Sequence, residues 1–336
     1  MFEIVFLGTS ASAPSVHRGL SAQVVLTKNH RFLIDCGEGT QRQLLKSGIG
    51  FKRLNRVLIT HGHLDHILGL AGLMSTFMRW ESIDSLEIWG GRWALDRVQD
   101  LLYGVVLRGA EPPMPLHLID VKPGLLLEDP DYTVSAFPVI HRGRDCYGFV
   151  FQETARRPFL VEKAEALGVP AGPERARLVH GEPVTLADGR TIQPDEVLGE
   201  DVPGARLVFT GDLASVNGLA EPARGAHALV MEATYLDDDA AMAAQFGHMT
   251  AGQAARFAAE AGVGTLLLTH LSRRYRERDV IREAQQYFPT SVVVRDFDRF
   301  AVSKGRPVQK VVAERVHETN EAGAADEVEE TESTGE

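Results

Sequence analysis

The sequence predicts an α/β protein whose strands and helices form a four-layer αββα sandwich. Short apolar runs bounded by Gly, Pro, Ser and Asn are typical of strands, and they alternate with stretches that have the apolar spacing of helices. The alternation occurs in two halves of the chain, separated by a Pro-rich stretch. Apolar residues make up 44% of the 336 residues, so the chain can bury a core between layers.

The first half begins with strands and then changes to strand and helix in turn. β-branched and aromatic runs predict strands over 3–7, 23–27 and 31–35. A helix over 41–46 ends at Ser47-Gly48, a typical C-terminal signal. The remaining predictions in this half are a strand at 56–60, a helix at 67–78, a strand at 85–89, a helix near 92–102, and strands near 116, at 132–139 and at 147–153.

The second half begins after a segment that breaks the pattern. Residues 154–205 contain five prolines before a closing VPG, and their apolar groups are too scattered to complete a core layer. We therefore expect a protruding, flexible arm inserted into one domain that spans residues 1–310. After the arm, the pattern predicts strands in RLVFTGD, ALVMEATY, TLLLTH and VVVRD, and helices at 252–261 and 279–287.

The net charge of −11 is unevenly distributed. Eight acidic residues and no Lys or Arg lie in residues 317–336, which leaves a net charge of only −3 on the other 316 residues. This composition predicts a disordered acidic tail at 317–336. The nearly neutral remainder neither requires nor excludes RNA as a partner.

The cysteine content and the N-terminal sequence indicate in which cellular compartment the protein is expected. Cys36 and Cys146 are too few for a disulfide framework and do not form a C-x-x-C pair, so we expect both to be buried. The N-terminus has no basic segment or cleavage site typical of a secretory signal, and no run approaches 18 apolar residues. We predict a cytoplasmic protein that does not associate with membranes.

The motif with the most specific chemistry is His61-Gly62-His63-Leu64-Asp65-His66, which follows a strand directly. Three imidazoles and a carboxylate are ligands that Zn²⁺ prefers. Structural zinc sites are usually rich in thiolates, so the presence of Asp in place of Cys favours a hydrolytic site. The alternative, three solvent-exposed loop histidines, does not account for this spacing.

One loop cannot supply the ligands of two metal ions, so further ligands are expected at other strand ends. His141, Asp212 and His270 each follow an apolar strand. Singly, each is more typical of a hydrogen-bonded loop residue. In this order behind the His-rich motif, they predict a shared metal centre.

These residues, together with GTSASAP, IDCGEGTQRQLL, GDL, EATY and HLSRRY, resemble the ribonuclease Z family of the metallo-β-lactamase superfamily. That family consists of endonucleases that remove 3′ trailers from tRNA precursors, and the resemblance covers about residues 1–303. It implies the metallo-β-lactamase αββα fold and two Zn²⁺ ions per chain. One ion would be held by His61, His63 and His141, the second by Asp65, His66 and His270, and Asp212 would bridge them.

The resemblance also implies catalytic roles. Asp65 would orient or deprotonate the attacking hydroxide, while His248, oriented by Glu232, would protonate the leaving 3′ oxygen. Cleavage after the discriminator nucleotide would then leave a 3′-hydroxyl on the tRNA and a 5′-phosphate on the trailer. Met231 and Met249 stand where the family has His and Ser, a difference that concerns contacts to the acceptor stem and not the metal site.

Two more elements are similar to family features. Residues 167–173, LGVPAGP, resemble the Gly-Pro-containing arm that grips the tRNA elbow, and the family implies a homodimer in which one subunit's arm serves the other's active site. Arg18 matches a basic residue of an N-terminal loop in the family. It is either a phosphate contact or a solvated side chain.

Two alternative functions remain open from the sequence. A small-molecule phosphodiesterase or arylsulfatase-like hydrolase of the same superfamily would use the same metal chemistry on a smaller ester. A non-catalytic tRNA-binding subunit would have a degenerate site, whereas all seven predicted ligands are present here. Carboxylate and imidazole sites also accept manganese or iron in place of zinc.

Overall fold

The fold was determined as a computed structural model, which describes residues 1–80, 83–112 and 114–311. The predicted acidic tail at 317–336 lies outside these residues. The strands, in chain order, are β1 (Phe2–Gly8), β2 (Ala22–Leu26), β3 (Arg31–Ile34), β4 (Arg56–Leu58), β5 (Leu86–Gly90), β6 (Leu116–Asp120), β7 (Gly124–Asp129), β8 (Tyr132–Pro138), β9 (Tyr147–Glu153), β10 (Val184–Thr185), β11 (Thr191–Ile192), β12 (Arg206–Phe209), β13 (Ala228–Glu232), β14 (Thr265–Thr269), β15 (Ser291–Val293), β16 (Arg299–Val302) and β17 (Gln309–Val311).

Helices lie on the outer faces of the sheets and within residues 154–205, and the helix Arg92–Gln99 continues into a π-helical segment, Asp100–Leu107. They are α1 (Thr40–Lys46), α2 (Leu64–Ile67), α3 (Gly69–Trp80), α4 (Arg92–Gln99), α5 (Val161–Ala166), α6 (Pro173–Val179), α7 (Pro194–Val197), α8 (Ala220–Ala223), α9 (Ala240–Phe246), α10 (Ala251–Glu260) and α11 (Glu277–Tyr287). Among the helices of the described residues, none combines the length and the apolar character that crossing a membrane requires.

Two large sheets form the inner layers. The first has the order β17-β16-β1-β2-β3-β4-β5-β6, and the second has the order β15-β14-β13-β12-β9-β8-β7. Strands β3 to β6 are parallel in the first sheet, and β12 to β15 are parallel in the second. Each parallel set needs helical crossovers, which supply the outer layers.

Alternating side chains of each strand belong to different cores. In β1, Ile4 and Phe6 face the other sheet and pack near Phe149 and Leu207, because successive side chains of a strand point to opposite faces. The intervening Val5 belongs to the core beneath the helices of the first half. A third core lies between the second sheet and α10 and α11. These three cores separate four layers and confirm the predicted αββα sandwich.

The arm, residues 154–205, has an apolar core that was not predicted from the sequence. Its three helices, α5 to α7, and the hairpin of β10 and β11 enclose this small core, which is separate from the three cores of the sandwich. Each short element contributes only one or two buried residues, which leaves no periodic pattern in the sequence. The buried residues of this core are Ala164, Val169, Leu178, Val184, Ile192 and Val197.

Local predictions hold where one residue decides the geometry. Gly48, just beyond α1, has φ +73°, the left-handed conformation that ends helices and favours glycine. Cys36 and Cys146 are both buried and unpaired, as predicted. Strand β7, helix α9 and the pair β16 and β17 had no counterpart among the predicted elements.

Candidate metal centre

The seven side chains predicted as metal ligands meet at one edge of the sandwich, beyond the carboxyl ends of strands. Such ends converge in α/β sheets and commonly carry functional groups. His61 and His63 follow β4, Asp65 and His66 lie in α2, His141 follows β8, Asp212 follows β12, and His270 follows β14.

The ligand atoms form groups small enough to surround single ions. In one group the atoms lie within 4.8 Å of one another, and it comprises His61, His63, His141 and Asp212. Nε2 of His61 lies 2.9 Å from Nδ1 of His63, and Nε2 of His141 lies 3.2 Å from that same Nδ1. Asp65, His66 and His270 form another such group.

Asp212 stands between the two groups. Its Oδ2 lies 3.7 Å from Nε2 of His61 in the first group. The same oxygen lies 3.4 Å from Nε2 of His66 and 3.4 Å from Nε2 of His270 in the second group. One carboxylate oxygen therefore faces ring nitrogens from both sets.

The protein fixes the ring orientation of His61 and His66 through their second nitrogens. Asp35, at the end of β3, accepts a hydrogen bond from Nδ1 of His66 at 2.7 Å. Asp35 also accepts the hydroxyl hydrogen of Thr60, whose oxygen is thereby free to accept from Nδ1 of His61 at 3.0 Å. The Nδ1 atom of each ring is therefore engaged by the protein, and Nε2 is the nitrogen that a metal would take.

His141 and His270 are oriented in the same way. The Gly247 carbonyl accepts from Nδ1 of His141 at 2.7 Å. The Thr234 hydroxyl donates to Glu232 and accepts from Nδ1 of His270 at 2.9 Å. Four of the imidazoles therefore present Nε2 to the centre of the site, an arrangement that raises their strength as ligands.

The donor set fits a transition-metal ion. Nε2 of His66 is buried and has no hydrogen-bond partner among the described residues, although buried polar atoms are nearly always partnered. Burial and the nearby His66 lower the pKa of His61, and burial and His141 lower the pKa of His63 to about 4. Both rings are thus neutral at pH 7, as metal coordination requires.

In contrast to those of His61 and His63, the pKa values of His66 and Asp212 are shifted so that their charged forms are favoured. Burial disfavours their charges, but Asp212 and Asp35 raise the pKa of His66, while His270 and His66 hold the pKa of Asp212 low. Without a metal, a proton on His66 balances the buried carboxylates. A bound cation would replace that proton, so metal binding is expected to release protons.

Glu232 and His248 form a pair beside the metal ligands. Glu232 is buried at the end of β13 and accepts from the backbone N–H of Leu213 at 2.7 Å. Its carboxylate lies 3.0 Å from Nδ1 of His248. Burial opposes protonation of His248, but Glu232 outweighs it and raises the pKa to about 9. The ring is a cation at pH 7 and can donate a proton.

A cleft of about 960 Å³ opens over this centre. Ser12, Leu64, Thr234 and Tyr235 form part of its lining. Its rim is cationic despite the acidic chain, since four arginines also contribute to the lining. They are Arg97, Arg142, Arg273 and Arg274. A cationic rim suits a phosphodiester chain.

Met231, Met249 and Arg18, which the family resemblance associates with substrate contacts, are held by other parts of the protein. Met231 and Met249 are buried in the core beneath α10, which places them under the loops and not in the cleft. The Arg18 guanidinium donates to the Val294 carbonyl at 2.7 Å and pairs with Glu277 at 3.0 Å. Its side chain is only 15% exposed, which favours a structural tie over a phosphate contact.

Two residues that contact the site were not predicted from the sequence. Asp35 ends the apolar run of β3, and an acid at a strand end was the available signal. Trp93, in α4, packs its ring against His63. No motif marks Trp93, because its contact depends on how α4 lies across the His-rich loop.

Comparisons with protein families place this geometry among known proteins. A family model described as "Anti-Pycsar protein Apyc1" matches residues 2–154. A second, described as "Beta-lactamase superfamily domain", matches residues 173–271. The metallo-β-lactamase fold protein YhfI from Bacillus subtilis has 20% identity and a TM-score of 0.64, and the match covers 89% of this chain and 98% of that one.

Relatives with higher identity span nearly the whole chain. The short form of human tRNase Z is 25% identical with a TM-score of 0.63, over 89% of this chain and 99% of that one. A ribonuclease Z of Bradyrhizobium diazoefficiens is 47% identical over 302 residues, which cover 90% of this chain and all of the relative. The chain belongs to the ribonuclease Z family of the metallo-β-lactamase superfamily.

Proposed function

We propose that the protein is a zinc-dependent endoribonuclease that removes the 3′ trailer of tRNA precursors by cutting after the discriminator nucleotide. The observation that carries the proposal is the position of Asp212, whose Oδ2 faces imidazole nitrogens of both ligand groups within 3.4 to 3.7 Å. Two ions that share a carboxylate are the arrangement that phosphodiester-cleaving enzymes use. The 47% identity to a ribonuclease Z supports tRNA as the substrate.

Two Zn²⁺ ions fit the imidazole and carboxylate donors. His61, His63 and His141 would hold one ion, Asp65, His66 and His270 the other, and Asp212 both. When bound, the ions supply Lewis-acid stabilisation of the charge that develops on the phosphoryl oxygens and lower the pKa of water.

Proton donation to the leaving group is assigned to His248. Its Nδ1 proton is accepted by Glu232, so Nε2 is the atom that can give a proton to the 3′ oxygen of the tRNA. That Nδ1 also lies 3.9 Å from Asp212, and Asp212, His248 and His270 form a third potential ligand group. Because Nδ1 of His248 already forms a hydrogen bond with Glu232, we assign His248 to proton transfer and not to metal binding.

Acceptance of a proton from the attacking water is assigned to Asp65. Its Oδ2 accepts from the backbone N–H of Ser12 at 2.9 Å and lies 3.4 Å from Nε2 of His270. Burial opposes ionisation, yet His270 and His66 keep the pKa of Asp65 low. Water as the nucleophile leaves a 3′-hydroxyl on the tRNA and a 5′-phosphate on the trailer.

The arm, residues 154–205, is proposed to bind the tRNA far from the cut. All five of its arginines are already paired with acids, among them Arg157 with Asp195 and Arg177 with Glu182. Shape and backbone contacts are therefore expected to contribute more than charge to tRNA binding.

From the resemblance to the ribonuclease Z family, we also propose a homodimer in which one subunit's arm serves the other's site. Sedimentation of the purified protein would give its subunit number. The cytoplasmic location stays a prediction.

The proposed activity is tested by incubating the purified protein with a 3′-extended tRNA precursor and with a bis-aryl phosphodiester. Cleavage of the precursor at one position, with a 3′-hydroxyl on the tRNA product, is expected. Rapid hydrolysis of the diester with an intact precursor would instead indicate a small-molecule phosphodiesterase. Identity to a ribonuclease Z along its full length does not favour that alternative.

A further inference from the structure

The rim of the cleft carries an exposed aromatic side chain. Of the two aromatic residues that line the cleft in the described part of the chain, Tyr235 is buried and Phe246 is 42% exposed. Phe246 is the last residue of α9 and packs into none of the apolar cores. Its ring is therefore available to a ligand in the cleft.

An arginine lies over this ring. The guanidinium carbon of Arg142 is 6.0 Å from the centroid of Phe246. The Arg142 stem packs against Gly247, where an added Cβ would lie 2.8 Å from the arginine Cγ. Arg142 has no hydrogen bond or ion pair among the described residues, so its charge is not neutralised by the protein. Phe246 and Arg142 together offer an exposed aromatic ring and an unpaired guanidinium to the cleft, and we call this pair the Phe–Arg platform.

Such a surface is suited to a nucleobase. Aromatic rings and guanidinium planes both stack on bases, and each base stacked on an aromatic residue contributes about 1 to 3 kcal/mol. The arginine charge also attracts the adjoining phosphate. A drug-like apolar ligand is less suitable, because the surrounding rim is cationic and open.

The position of the platform identifies the nucleotide. Gly247, with φ +73°, turns the chain between Phe246 and His248, and its carbonyl orients His141. Resting on the function proposed above, His248 protonates the leaving 3′ oxygen, so the nucleotide that carries this oxygen lies nearest the platform. We propose that Phe246 and Arg142 bind the base of the discriminator nucleotide, which is unpaired at the end of the acceptor stem.

The test combines a variant with an altered substrate. Phe246→Leu keeps an apolar side chain but removes the π face. We expect it to lower kcat/KM about tenfold for the natural precursor and less than twofold for a precursor with an abasic discriminator. Tyr287→Leu is the matched control, because Tyr287 is 41% exposed but does not line the cleft. Equal losses on both precursors, or no loss on either, would overturn the proposal.

A second measurement does not depend on cleavage. A tRNA ending in 2-aminopurine at the discriminator position should lose fluorescence when it binds the zinc-loaded enzyme, because stacking quenches this base. Phe246→Leu should abolish the quenching while the tRNA still binds. Unchanged quenching in the variant would contradict the platform, whereas a wild-type enzyme that binds this tRNA but cuts no precursor would contradict only the proposed activity.

Discussion

Trp93 stands edge-on against His63, with ring centroids 5.5 Å apart and ring planes at 89°. The indole fills the space between the two loops that carry first-group ligands, since a Cβ at Gly143 would lie 2.6 Å from its ring and one at Gly62 3.1 Å. Arg97 covers the indole at 5.5 Å and donates to the Gly62 carbonyl at 2.8 Å. Trp93 therefore packs against a predicted ligand and offers no ligand atom of its own.

Replacing this residue should weaken metal binding. We expect Trp93→Leu to lower the affinity of the first metal group by about tenfold to a hundredfold, the usual effect of removing support behind a ligand. Competition with a chromophoric chelator would measure it. Trp93→Phe retains an aromatic edge and should recover most of the affinity. If the leucine variant binds both ions like the wild type, the indole has no positioning role.

The number of bound metal ions tests the bridging carboxylate. Elemental analysis should find close to two transition-metal ions per chain. Asp212→Ala should abolish turnover, because both ions would lose the carboxylate that is proposed to bind them together. A wild-type enzyme that is fully active with one tightly bound ion would contradict the two-metal assignment.

Proton transfer and metal binding should separate in two variants. His248→Ala should retain its metal content but lose rate by roughly 10² to 10⁴, the usual contribution of a placed general acid. His63→Ala should lose both metal and rate. Metal analysis beside a precursor-cleavage assay compares the variants. Loss of an ion from the His248 variant would show that this side chain is itself a ligand.

The pH dependence of His248 follows from its partner. Its pKa of about 9 lies above the ordinary value of about 6.5 in unfolded chains. The pair therefore stabilises the fold below pH 6.5, and this contribution is lost as the pH rises from 6.5 to 9. In chelator-treated protein, an NMR titration should show a midpoint near 9 that moves to lower pH in Glu232→Gln, because the carboxylate that raises the pKa of His248 most is then absent.

His227 provides an internal control for that titration. Burial lowers its pKa, and the ring accepts a bond from the backbone of Arg206, remote from Glu232. Its midpoint should not move in Glu232→Gln. A His248 midpoint that also stays in place would mean that Glu232 does not set its protonation.

The arm can be removed without cutting the sandwich. Residues 157–200 lie between Arg156 and Val202, which pair with each other at the base of the arm. Replacing 157–200 with a short Gly-Ser linker should lower kcat/KM for precursor tRNA at least about tenfold, or 1.4 kcal/mol. Hydrolysis of bis-(p-nitrophenyl) phosphate should change less than about threefold. Equal losses on both substrates would mean that the arm supports the active site and not the binding of tRNA.

The residues of the candidate site could be picked out from the sequence because four of them lie in one six-residue motif and the other three each follow an apolar strand. Asp35, by contrast, reaches His66 across 31 residues, and the Gly247 carbonyl reaches His141 across 106. A backbone carbonyl has no sequence signature, and long-range pairs depend on the completed sheets.

Most strands were predicted within a few residues, and the differences have local causes. The run RVLIT predicted a strand over 56–60, whereas β4 ends at Leu58. The Thr60 N–H donates to the Asp35 side chain at 2.8 Å in place of a neighbouring strand. That bond turns the chain toward the centre of the site. Strand β7 escaped prediction because its residues are largely exposed at the sheet edge.

The separate apolar core of the arm has a consequence for how the protein can evolve. Mutations of its buried residues are expected to affect the folding of the arm and not the hydrolytic reaction at the metal centre. Natural selection can thus lengthen, reshape or recharge this module while the catalytic machinery is conserved. Given the proposed role of the arm in binding tRNA, a single hydrolytic scaffold could be adapted to RNA partners of different shape through changes confined to about fifty residues.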